Sequence, residues 1–115
     1  VDTVRHGKIT VAPEVILDII KQAVLYTEGI AGMATIPPRV DRIFRRLITG
    51  EGIAMEILDD SVAIDLYLVA EEVDLLQVSH RVQREVIRSV DKLVGLNVKE
   101  VNIHIEDIAY ASNTD

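Results

Sequence analysis

The chain has 115 residues, 49% of them hydrophobic and 27% charged, with a formal net charge of −7. That size allows one domain with a single core between two layers, and the acidic balance opposes binding to phosphate backbones and anionic lipid. Cysteine is absent, which removes disulfides, thiolate metal sites and cysteine nucleophiles.

Residues 8 to 12, KITVA, read as a short strand or an extended lead-in to Pro13. Proline suits the first helical turn, where its missing N–H costs nothing, and Glu14 complements the positive helix end. A helix is predicted over 13 to 27, with Val15, Ile16, Ile19, Ile20, Ala23 and Val24 as one apolar stripe. Gly29 suits the glycine that follows a helix. Residues 30 to 36, IAGMATI, read as a strand stopped by Pro37-Pro38.

The piece PRVDRIFRRLITG spaces Val40, Ile43, Phe44, Leu47 and Ile48 as a short amphipathic helix ending before Gly50. Arg39, Arg42, Arg45 and Arg46 decorate it, with only Asp41 in opposition. A hairpin follows: IAMEIL at 53 to 58 and VAIDLYLV at 62 to 69, joined by the turn formers Asp59-Asp60-Ser61. In the second strand Val62, Ile64, Leu66 and Leu68 share one face, and Ala63, Asp65, Tyr67 and Val69 the other.

Asp74 with Gln77 forms a capping-box arrangement at the start of a helix over 75 to 94. Its predicted buried seam is Leu75, Val78, Val82, Val86, Val90 and Leu93, with Arg81, Arg84 and Arg88 together on the outer side. Gly95 closes it. Residues 98 to 108 give the last strand, and 109 to 115 a polar tail. The expected fold is α+β: two long helices on one face of a mostly antiparallel sheet, with a short helical insert at 37 to 50. Residues 1–115 form one domain with its core at about 7 to 108.

Few residues offer chemistry. Alternation in VNIHIEDI puts Asn102, His104 and Glu106 on one strand face, where Glu106 is near enough to pair with His104. His6 and His80 are distant in sequence, so a zinc set of three or four ligands has no visible source. Asp65 is a lone carboxylate in an apolar strand, with no second acid at a fixed spacing. Glu71, Glu72 and Asp74 read as loop charge and capping. The GIAG stretch at 29 to 32 has the G-x-x-G spacing of KH nucleic-acid-binding domains, but no Lys or Arg lies within it. Dinucleotide, Walker and nucleophile-elbow motifs are missing. The two arginine groups, with Phe44, are the strongest local anomalies. They suit a protein interface, whose energy comes from a few arginine and apolar anchors, or else solvated charge.

GKITVAPEVILDIIKQAV, EGIAGM, EGIAMEILDDSVAIDLYLV and VQREVIRSVDKLVGLNVKEVNIHIEDI occur in this order over roughly residues 7 to 108. In this the chain resembles the alkaline shock protein family of bacterial envelope-stress proteins. It departs from that pattern in ATIPPRVDRIFRRLITG, where many members are glycine-rich, and in AEEVDLL, where many carry a tyrosine-glycine turn. The resemblance implies a non-enzymatic protein-interaction or scaffold module without a cofactor, which self-associates and also binds another protein, one anchored in the membrane. It implies a cytoplasmic location, peripheral to the inner face of the membrane. Arg39, Arg42, Phe44, Arg45, Arg46, Arg81, Arg84, Arg88 and His104 are its expected interaction residues. The alternative is a KH-like nucleic-acid binder using the GIAG turn and the arginine patches.

Overall fold

A computed structural model of the chain describes residues 6–38 and 47–111. Along it run α1 (Pro13–Tyr26), β1 (Ile30–Met33), β2 (Ile48–Gly50), β3 (Ile53–Ile57), β4 (Ser61–Glu71), α2 (Leu75–Val94) and β5 (Asn97–Ala109). This is an α+β fold with two helices packed on one face of a mostly antiparallel sheet.

Strand β4 is the centre. Along one edge it pairs parallel with β5 over its whole length. Its other edge is shared in tandem: β3 takes Val62 to Leu66 and β1 takes Leu68 to Ala70, both antiparallel. The seam between them falls at Tyr67, whose N–H donates to the Gly52 carbonyl and whose carbonyl accepts from the Ala34 N–H, each at 2.8 Å. Gly52 sits here with φ +70°, and a Cβ would lie 2.7 and 2.8 Å from the carbonyl oxygens of Ala34 and Tyr67. No side chain fits that crossing.

Period two in β4 buries Val62, Ile64, Leu66 and Leu68 beneath the helices. Ile53 and Met55 of β3 and Val101 of β5 extend that floor. The helices close it with Ile16, Ile20, Ala23 and Val24 of α1 and Val78, Val82, Val86 and Val90 of α2. The α2 seam is a strict every-fourth-residue row of valines, the ridge a helix presents to a neighbouring surface. Asp74 caps α2 by accepting from the Gln77 N–H at 3.1 Å, and Gly95 ends it in the left-handed conformation.

Several expectations need correction. KITVA is not a strand; residues 6–12 are irregular and exposed, because nothing in the described structure pairs with them. Helix α1 ends at Tyr26, three residues before Gly29, and β1 ends at Met33, four residues before Pro37. In the insert, residues 39–46 lie outside the described residues, so the predicted helix there is not addressed. Its C-terminal part is extended: Ile48 belongs to β2 and pairs with Met55. The free edge of β3 supplies hydrogen bonds that outweigh the helical spacing of the side chains. Leu93 is 63% exposed and Val15 is also exposed. Their neighbours Ile16 and Val94 take the core-facing positions instead.

Candidate interaction surface

The face of the sheet opposite α1 and α2 collects the polar side chains that alternate with the core. Asp65 and Tyr67 of β4 stand beside Asn102 and His104 of β5, because the parallel register sets Asp65 opposite Asn102 and Tyr67 opposite His104. The His104 Nε2 lies 3.0 Å from Asp65 Oδ1. Its ring stacks on Tyr67 with centroids 4.6 Å apart and planes 12° from parallel. Asn102 donates from Nδ2 to Glu100 Oε2 at 2.9 Å.

Tyr67 is only 4% exposed although it faces away from the helices. The His104 side chain above it is 39% exposed. The imidazole is therefore fixed by a carboxylate at its edge and a phenol ring at its face. Stacking of this kind and a half-exposed histidine–carboxylate hydrogen bond each stabilise a geometry by about 1 kcal/mol or less. Their effect is to hold a flat, preorganised patch.

Acid–base or nucleophilic catalysis needs more than an oriented histidine. It needs a nucleophile within hydrogen-bond reach and a concavity where a substrate can sit. No Ser, Thr or Cys stands among Ala63, Asp65, Tyr67, Val69, Asn102 and His104. Among the described residues, no group of three or more His, Asp or Glu could hold a metal ion.

The structure separates the predicted interaction residues. Arg81, Arg84 and Arg88 lie on α2, in the helical layer, while His104 lies on the opposite face of the sheet. Arg81 is half-buried, and Arg84 and Arg88 are exposed. Arg81 and Arg84 line a cleft of about 210 Å³ with Tyr26, Thr27, Glu28 and Glu85. Acidic and basic groups alternate around it, so it is not an anion funnel. Arg39, Arg42, Phe44, Arg45 and Arg46 fall outside the described residues.

The GIAG stretch is not a loop between two helices. Gly29 turns the chain with φ +101° against α2, where a Cβ would meet Val78 Cγ2 at 2.6 Å. Ile30 to Gly32 already belong to β1. Close packing, not a phosphate, explains the first glycine. Sequence reasoning missed the pairing of Asp65 with His104, because it weighed them as separate candidates and looked to Glu106. Their shared alternation phase was a signal, but the parallel pairing of β4 with β5 was needed to join them.

A family model described as alkaline shock protein 23 family, cell envelope-related function, matches residues 2–110. The uncharacterized protein YqhY of Bacillus subtilis (strain 168) is 31% identical over 106 residues, covering 90% of this chain and 78% of that protein. YloU of the same organism, also uncharacterized, is 28% identical over 108 residues, covering 90% of each. Among solved structures, a mutant of MamM-CTD is similar with a TM-score of 0.51 at 10% identity, covering 89% of this chain and 93% of that one. At that identity the likeness concerns the fold alone.

Proposed function

The chain belongs to the alkaline shock protein 23 family, whose function is cell envelope-related, and on that premise we propose that it is a non-enzymatic, self-associating protein-interaction module. It serves envelope homeostasis from the cytoplasmic side, held at the inner face of the membrane by a membrane-anchored protein. Among the described residues no helix is long and apolar enough to cross a bilayer; in this reading a partner supplies the attachment.

The observation that carries the proposal is the sheet face opposite α1 and α2. It is a rigid patch in which Asp65 and Tyr67 hold His104 outward, without a neighbouring nucleophile. Preorganised aromatic and polar groups of this kind suit a protein surface, because little side-chain entropy is lost on contact. The arginines of the insert, with Phe44, and those of α2 are further contacts in the same reading.

The test is affinity recovery after crosslinking in the native cell, with the membrane fraction included. Wild type is expected to retain a stoichiometric membrane protein, and His104→Ala to retain at least fivefold less while keeping its circular dichroism spectrum. Equal recovery by the two proteins would remove this face from the proposal.

A further inference from the structure

Strand β5 is an edge, and its hydrogen-bonding directions follow from β4. Because Tyr67 directs its N–H and carbonyl to Gly52 and Ala34, its β4 neighbours Ile64, Leu66 and Leu68 direct theirs to β5. Their registered partners are Val101, Ile103 and Ile105. In a parallel ladder those three residues then turn their own N–H and carbonyl groups outward. Two outward groups are capped within the chain. Gln83 Nε2 donates to the Val101 carbonyl at 3.0 Å, and the Ile108 N–H donates to Asp107 Oδ1 at 2.8 Å. Between these caps, the outward groups of Ile103 and Ile105 have no partner among the described residues. Their side chains are only half-buried. Open edge of this kind is a template for strand addition.

The same chain carries an unpaired strand-like segment. Lys8-Ile9-Thr10-Val11 alternates polar and apolar residues, yet it is irregular, and Ile9 is 92% exposed. We propose that this segment of one copy adds antiparallel to the outer edge of β5 in a second copy, with Ile9 opposite Ile105 and Val11 opposite Ile103. This rests on the self-association read above and supplies its interface.

Several features agree on that register. Ile9 and Val11 fall on the helix-covered side, against the half-buried Ile105 and Ile103. Thr10 falls opposite His104, within the part of β5 that precedes the irregularity after Ile105. One residue past Ala12 stands Pro13, which has no N–H to donate, and the carbonyl it would face, that of Val101, is already filled by Gln83. The segment cannot reach its own β5 in this register. Val11 lines a cleft with Ile57, Val94 and Leu96, where β5 begins. Ile103 is seven residues farther along, about 23 Å at the usual strand rise, while Pro13 holds the segment to the packed helix α1.

The absence of cysteine makes the test clean. Thr10→Cys and His104→Cys proteins are mixed and mildly oxidised. Directly opposed antiparallel residues lie within disulfide range, so a covalent heterodimer is expected, and none when Arg88→Cys replaces His104→Cys. Sedimentation of the full chain is measured in parallel. Ile9→Pro removes a donor from an exposed segment, so it is expected to weaken self-association at least tenfold with an unchanged melting temperature. Wild-type-like association of Ile9→Pro, together with no Thr10–His104 disulfide, would overturn strand addition and leave self-association to another surface. A protein that stays monomeric at all concentrations would overturn both.

Discussion

The two faces of one sheet are built from the same strands by the same alternation, yet they meet different surroundings. On one face Val62, Ile64, Leu66 and Leu68 are fully buried under two helices. On the other, Asp65 and Tyr67 support a half-exposed His104. The first face consists of branched aliphatic side chains, whose burial is non-directional and adds up with area. The second consists of groups whose contacts depend on distance and angle and add little free energy. In the reading proposed above, stability rests on one side of a single layer and recognition on the other. A substitution is expected to affect one or the other according to its parity along the strand.

That division is open to direct attack. The largest effect is expected for Leu66→Ala on the covered face, where cavity and transfer terms together cost about 3 kcal/mol. Urea denaturation measures it, and a loss below about 1 kcal/mol would mean that the covered face is not the main core. Gly52→Ala comes next. It attacks the backbone seam that both faces share, and the strain of a left-handed alanine pressed against two carbonyls costs about 2 kcal/mol. A melting temperature equal to wild type would show that the seam between β1 and β3 can open without consequence. The smallest effect is expected for His104→Ala, under about 1 kcal/mol in the same denaturation experiment. A larger loss would move His104 from the recognition side to the structural side and sharpen where the division lies.

Local signals made much of this fold legible. Helix α2 occupies 75 to 94, as predicted, because Asp74 is a strong start signal and Gly95 a strong stop signal. The β3–β4 hairpin was equally clear, since turn formers separate two alternating runs. Long-range choices were not legible. That β4 pairs parallel with β5 and splits its other edge between β1 and β3 depends on competition among strands far apart in sequence. Ile48 illustrates the cost: its spacing suited a helix, and only the presence of β3 makes it a strand. The site was half legible for the same reason. Asp65 and His104 were each visible as oddities, but their contact at 3.0 Å exists only in the assembled sheet.

The tandem sharing of β4's edge also has a consequence for how the chain reaches its native state. Strand β1 is synthesised early, but its strand neighbour, β4, is synthesised much later. Helix α1, with its apolar stripe, is made earlier still and must wait for the same floor. The β3–β4 hairpin, in contrast, brings its own partner with it, its pairs lying 5 to 13 residues apart. Relatively local contacts form fastest, so this hairpin is the natural nucleus, with β1, β5 and the helices docking onto it afterwards. The early-made α1 and β1 therefore lack their sheet partner until β4 has been synthesised.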